Sequence, residues 1–222
     1  MTRESIGTMM GSQPTGTFMG IPAGELADVS GGSVIFGAPC ATPYPSVGAY
    51  CKDAPNAIRS AISMYQANIS HMDFDLGGPI FPNGVNAIDL GDLEFSESDS
   101  TGNRERIRAT TAGIIERGAV PIVIGGDDSI PIPMIAAFAE TGEYTVVQID
   151  AHIDYRDEVG GEKLGLSSTM RRAFEMPHIT DLIQVGQRGI GSARPQDFAD
   201  AKAHGVKFVS AREVAATGIQ QV

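Results

Sequence analysis

Two stretches decide the fold: Val120-Pro121-Ile122-Val123-Ile124-Gly125-Gly126-Asp127-Asp128-Ser129 and Thr145-Val146-Val147-Gln148-Ile149-Asp150-Ala151-His152-Ile153-Asp154. Each is a short, β-branched apolar run that stops at a group of acidic or imidazole side chains. Such runs, bounded by turn formers, read as strands buried on both faces. Working outward, Ser33–Gly37, Val85–Leu90, Leu182–Val185 and Val206–Val209 have the same character. Between them lie helical patterns. Asp53–Gln66 has Asp53 as its expected N-cap, Pro55 in the first turn, and Ile58, Ile62 and Tyr65 at helical spacing. Arg104–Arg117 places Ile107, Ile114 and Ile115 along one side and is closed by Gly118, and a third helix holds Met134 and Phe138. Strands of continuous apolar character separated by helices predict a three-layer α/β/α sandwich around a mainly parallel sheet. No repeat or linker divides residues 1–222, which read as a single domain. Residues 1–32, with Gly11-Ser12-Gln13-Pro14-Thr15-Gly16, read as an N-terminal arm.

Composition narrows the function classes. The chain has 222 residues, 42% of them hydrophobic and 19% charged, enough apolar material for a full core and too little charge for a disordered chain. No apolar run approaches the ~18 residues of a membrane span. The N-terminus lacks the basic flank and apolar core of a secretory signal, and two cysteines, Cys40 and Cys51, make no disulfide framework, so a cytoplasmic location is expected. A net charge of −11, from 16 Lys+Arg against 27 Asp+Glu, argues against a nucleic-acid surface and suits cationic substrates or metal ions.

In open α/β sheets, ligands sit beyond the carboxyl ends of the strands. Both quoted stretches put metal-type ligands there. If the second motif continues extended, Asp150, His152 and Asp154 project to one side. Two carboxylates and an imidazole suit Mn²⁺ and similar divalent ions. Burying these carboxylates with Asp127 and Asp128 and no cation is costly. The competing reading is structural: a strand-end Asp commonly caps a helix, and Asp128 or Ser129 stands where it would cap the helix holding Met134.

Gly125-Gly126-Asp127-Asp128-Ser129 followed by Asp150-Ala151-His152-Ile153-Asp154 resembles the first two signature motifs of the ureohydrolase (arginase/agmatinase) family, commonly Gly-Gly-Asp-His-Ser and Asp-Ala-His-x-Asp. Ala87-Ile88-Asp89-Leu90-Gly91-Asp92, Pro55-x-x-Ile58-Arg59 and Arg171-Arg172-Ala173 extend the likeness over about residues 33–222. The resemblance implies an arginase-like fold and an agmatinase-like amidinohydrolase that cleaves a small cationic guanidino compound to urea and an amine. It also implies a binuclear Mn²⁺ centre, with Ni²⁺ as the other candidate, and a homo-oligomer, trimer or hexamer. Carried over by position, Asp150 bridges the metals, His152 binds one, and Asp154 binds the other and accepts a hydrogen bond from the attacking hydroxide. Asp128 stands where the family has a metal-binding His.

Three departures accompany the likeness. Asp128 replaces that His, and a carboxylate still ligates Mn²⁺. Leu166, in Gly165-Leu166-Ser167-Ser168-Thr169, falls at or near a His expected to shuttle protons, and leucine moves none. The family's third motif, Ser-x-Asp-x-Asp, and two central strands have no counterpart between Asp154 and Val222, so the domain is expected to be C-terminally incomplete with unpaired strand edges. These departures give the alternative: a catalytically silent homologue that acts as a metal-binding or oligomer-forming domain. Elsewhere, Tyr155-Arg156-Asp157-Glu158 reads as either a pocket wall or a solvated loop. Gly186-Gln187-Arg188-Gly189-Ile190-Gly191 reads as a strand-end turn without the dinucleotide fingerprint, and His71, His178 and His204 as surface or loop residues.

Overall fold

A computed structural model describes residues 16–221, so residues 1–15 of the expected arm lie outside the described residues. In chain order the elements are β1 (Ser33–Ala38), α1 (Ala54–Ile62), β2 (Ala87–Asp92), α2 (Ser100–Glu116), β3 (Val120–Gly125), α3 (Pro131–Ala136) and β4 (Tyr144–Ile149). Then follow α4 (Thr169–Phe174), β5 (Ile179–Val185), α5 (Pro195–Ala203), β6 (Lys207–Val209) and α6 (Ala211–Thr217). Every strand pairing is parallel, as the alternation of strands and helices requires.

The strands form two three-stranded parallel sheets, ordered β2-β1-β3 and β4-β5-β6, with the unpaired strand edges that the sequence led us to expect. β3 pairs only with β1 and β4 only with β5, so each is an edge strand. Register aligns the strand ends: Gly37 lies opposite Ile124, and Ile149 opposite Val185. The acidic loops after β3 and β4 therefore leave from carboxyl edges.

β1 is the most enclosed strand because successive residues point to opposite faces and both faces are covered. Val34, Phe36 and Ala38 pack with Ile107 and Ile114 of α2 and with Ile130. Ile35 packs on the other side with Ile21, Ala87 and Ile124. In the second sheet, Leu182 joins Ile153, Tyr155, Met170, Ala201 and Val206. Its other face is open at β4, where Val147 is 58% and Ile149 83% exposed.

Several local expectations are corrected. Residues 17–29 are not a free arm but lie along β2: Asp89 N–H donates to Pro22 O at 2.9 Å, and Phe18 N–H to Asp89 Oδ2 at 2.7 Å. Asp53 makes no side-chain cap; only its carbonyl accepts, from Ala57 N–H. α2 starts at Ser100, ahead of the expected Arg104, because Asp99 Oδ1 accepts the Gly102 N–H at 2.8 Å and caps it. His178 is buried and contacts Ile135 O at 3.0 Å instead of lying at the surface, whereas His204 is exposed as expected and pairs its Nδ1 with Tyr155 Oη at 2.8 Å. Tyr155 belongs to the core, while Asp157 ion-pairs with Arg172 at 2.9 Å.

Two of the family-like segments meet in one buried ion pair. Arg59 of α1 donates from Nε and Nη2 to the two oxygens of Asp89 at 2.9 and 2.8 Å, and from Nη1 to Asp92. Burial alone would raise the Asp89 pKa, but the Arg59 guanidinium and two backbone N–H groups overcome it and hold the carboxyl below its ordinary range. These residues fasten α1 to β2.

Candidate metal centre

β3 ends in a backbone crossing that admits no side chain. A Cβ on Gly126 would stand 1.7 Å from Pro39 O and 2.9 Å from Cys51 O, so the second glycine of the motif is required by close approach. The following Asp127 turns inward. Its Oδ1 accepts from Ser129 N at 3.1 Å and Ser129 Oγ at 2.5 Å, and its Oδ2 accepts from the Cys40 thiol at 3.1 Å. Burial and the Asp127 carboxylate push the Cys40 thiol up to about 12, so it stays protonated and donates. Ser129 Oγ accepts from Ala41 and Thr42 N–H at 3.2 and 2.9 Å. Asp127 and Ser129 thus pin the 40–42 loop, and neither caps α3, which has no side-chain cap.

Asp128 points elsewhere. One ligand oxygen from each of Asp128, Asp150 and Asp154 lies within 4.8 Å of the others, the only such group of three metal-type ligands among the described residues. β4 ends at Ile149, and the backbone does not continue extended. His152 N–H folds back to Asp150 Oδ1 at 2.6 Å, and Asp154 adopts a left-handed φ of +45°. The alternation expected of the second motif therefore fails, and its outcome differs residue by residue. Asp150 and Asp154 converge with Asp128, whereas His152 is outside the triad, its Nδ1 3.4 Å from Asp150 Oδ1 and its side chain 51% exposed.

The left-handed turn at Asp154 has a structural counterpart. Its carbonyl accepts the Met170 N–H at 3.1 Å at the start of α4, and Thr169 Oγ1 donates to Asp128 O. The first turn of α4 thereby ties the end of β3 to the end of β4, although the strands themselves do not pair. Two buried amides, invisible as site residues in the sequence, hold the Asp154 side chain. Gln148 Nε2 donates to Asp154 Oδ2 at 2.7 Å, while Gln184 Nε2 donates to Gln148 Oε1 and to Ile153 O at 2.7 Å. The one available signal was a glutamine one residue before the carboxyl end of each strand, Gln148 before Ile149 and Gln184 before Val185.

Electrostatics at the triad favour a cation. Burial, the hydrogen bond shared with Asp154, and the charges of Asp154, Asp150 and Asp127 push the Asp128 carboxyl up to about 8. Burial also raises Asp154, outweighing the hydrogen bonds from Asp128 and Gln148. Like charges this close cannot all stay ionised, so one carboxyl holds a proton unless a cation replaces it. Hard oxygen donors of this number and spacing fit a divalent ion such as Mn²⁺, and the thiol of Cys40 is already committed to Asp127. Leu166, between Gly165 and Ser167 on the loop before α4, presents no titratable group.

Comparison with known proteins agrees with this architecture. A family model described as the Arginase family matches residues 32–222. A formimidoylglutamase from Halalkalibacterium halodurans is 33% identical over 173 residues, covering 75% of this chain and 51% of that protein. The solved proclavaminate amidinohydrolase from Streptomyces clavuligerus superposes with a TM-score of 0.75 at 24% identity, over 94% of this chain and 67% of that one. A Trypanosoma cruzi formiminoglutamase solved with Mn²⁺ superposes with a TM-score of 0.70 at 19% identity, over 88% of this chain and 68% of that one. The chain spans about half the length of the curated relative it matches.

Proposed function

The chain belongs to the arginase family, and from that membership we propose that the protein is a metal-dependent amidine hydrolase, cleaving a guanidino or formimidoyl C–N bond with water. The single observation that carries this is the convergence of Asp128, Asp150 and Asp154 at the carboxyl ends of β3 and β4. In this reading those three carboxylates hold the ions, with His152 completing the set by rotating its half-exposed ring. Manganese is the favoured metal, since hard carboxylates with one imidazole suit it and a structural neighbour was solved with it. Bound divalent ions supply a strong positive field that lowers the pKa of water and polarises the amidine.

The protein's own groups do the rest. The chain's net charge of −11 steers the cationic amidine towards the site. Gln148 fixes one oxygen of Asp154, leaving the other to accept a proton from the attacking water. That proton passes to the departing nitrogen, so that water is divided between the two products. A cytoplasmic homo-oligomer is part of the same proposal. A second reading, a homologue that binds metal without turnover, is favoured by Leu166 standing where a proton-carrying His is expected.

The test is product release by the protein with Mn²⁺ over a panel of agmatine, arginine, guanidino acids and formimidoyl amino acids. Urea or formamide release that is lost in Asp154→Asn supports hydrolysis. Absence of release with every substrate, with the metal bound, assigns the silent reading instead.

A further inference from the structure

The segment between α1 and β2 leaves a large apolar face uncovered. Asp73 and Gly78 pair their backbones, the Asp73 N–H donating to Gly78 O at 2.9 Å and the Gly78 N–H to Asp73 O at 3.2 Å. Inside this turn, Asp73 Oδ1 accepts the N–H groups of Asp75 and Leu76, each at 2.9 Å. The tip is therefore held by its own hydrogen bonds, and it carries Phe74 90% and Leu76 67% exposed. Beside it lies a groove of about 370 Å³ with Met19, Tyr65, Met72 and Ile80 in its walls. Asp73, at the base of the turn, lines the groove as well, so turn and groove belong to one surface.

Area, shape and charge together indicate what covers this face. Tyr65, Met72, Phe74, Leu76 and Ile80 leave about 600 Å² of apolar surface bare, at about 200 Å² per large side chain. That is at the upper end of what a monomer leaves uncovered. Each partner of a standard stable interface buries about 800 Å², of which about 65% is apolar in a homodimer. The face supplies that amount. In shape, a braced, protruding aromatic and an open apolar groove stand side by side. A twofold contact between identical patches requires such a pairing, because one patch must give both the knob and the hole. In charge, no lysine or arginine lies between Arg59 and Arg104, while Asp73 and Asp75 flank Phe74. A face without cations does not draw an anionic lipid surface or a nucleic acid. In a chain of net charge −11, a contact between copies must rest on apolar surface.

We propose that this face pairs with the same face of a second copy of the chain about a twofold axis, Phe74 of each copy entering the groove beside Tyr65 and Met72 of the other. The proposal rests on the homo-oligomer part of the reading above and names its surface; it does not depend on amidine hydrolysis. Because the Asp73 carboxylate and the Asp73–Gly78 pair already hold the tip, little ordering entropy opposes docking. Phe74 and its groove form the buried centre of the contact, where a substitution costs most. Asp75 of both copies is brought to the same interface, so like charges oppose the contact and dissolved salt relieves them.

The test is sedimentation velocity of the protein over a range of concentrations, beside Phe74→Glu and Leu76→Glu. Ile190→Glu, at a fully exposed side chain on the loop after β5, is the control. The unaltered chain should form a reversible dimer, or a larger assembly that contains it. Phe74→Glu and Leu76→Glu should each raise the dissociation constant at least about tenfold, as charging a buried anchor does, while Ile190→Glu leaves it unchanged. Association should tighten as NaCl rises from about 0.05 to about 0.5 M, because screening weakens the repulsion. All four side chains are exposed, so unchanged circular dichroism checks that the variants are folded. A chain that stays monomeric at every concentration overturns the proposal together with the homo-oligomer reading. An assembly indifferent to both Phe74→Glu and Leu76→Glu, or weakened as much by Ile190→Glu, overturns the proposal alone. Association that weakens with salt overturns it in favour of an ion-paired contact, and dimers that form only after removal of residues 1–15 assign the groove to that segment instead. Loss of amidine turnover with the dimer intact bears on the hydrolase reading and leaves this interface standing.

Discussion

Asp128 shows how one side chain sets the behaviour of the site. Its folded-state pKa of about 8 stands above the ordinary 3.8, mainly because of burial and then because of Asp154. Between those values the metal-free folded protein binds more protons than the unfolded chain. Its contribution to stability is therefore complete at low pH and is lost as pH rises towards about 8. Thermal unfolding of the chelator-treated protein should accordingly move to lower temperature from pH 5 to pH 8. Asp128→Asn should flatten that slope, as should saturating Mn²⁺. A slope that Asp128→Asn leaves untouched would show that the three carboxylates are not coupled. A second residue-scale expectation concerns Gln148, which steadies Asp154 at 2.7 Å. Gln148→Leu should weaken Mn²⁺ binding about 10–100-fold, as loss of a ligand's hydrogen-bond partner does, measured by calorimetry. The three carboxylates were legible because acids at strand ends are conspicuous. Gln148 was not, because a lone polar residue within a strand carries no sign of its partner. His152 stands outside the triad because the backbone folds back onto Asp150, which spacing alone does not show.

At the scale of elements, the strands were readable and several helices were not. The six apolar runs became β1–β6, although β3 and β4 each leave one face open, at Val120 and Ile122 and at Val147 and Ile149. α4 spans only six residues and has no side-chain cap, so its sequence offers little; it exists because Asp154 O and Asp128 O receive its first N–H and hydroxyl donors. α5, with Pro195 and Asp197 in its first turn, did carry a start signal. Two contacts between elements have measurable consequences. Gly126→Ala forces a Cβ onto Pro39 O and should destabilise by about 1–3 kcal/mol or more, seen in urea unfolding as a lower midpoint; an unchanged midpoint would mean the crossing relaxes freely. Arg59→Met strands Asp89 in the core and should cost about 3–5 kcal/mol, and the loss should shrink at low pH, where Asp89 takes up a proton.

Over the whole molecule, the two sheets are joined at their carboxyl ends by the α4 tie and by the acidic cluster rather than by strand pairing. The unpaired strand edges expected from the sequence fall at β3 and β4, and the acidic cluster sits at their carboxyl ends. The cluster draws one carboxylate from the first sheet's edge loop and two from the second's. A cation held there should brace both sheets together, slowing amide exchange at the ends of β3 and β4 alike.

The most direct measurement is a calorimetric Mn²⁺ titration of the folded protein beside Asp128→Asn, Asp150→Asn and Asp154→Asn. Uptake that each of the three substitutions abolishes or severely weakens is the predicted result. Absence of uptake, or uptake indifferent to all three, would contradict a metal centre at the meeting point of β3 and β4.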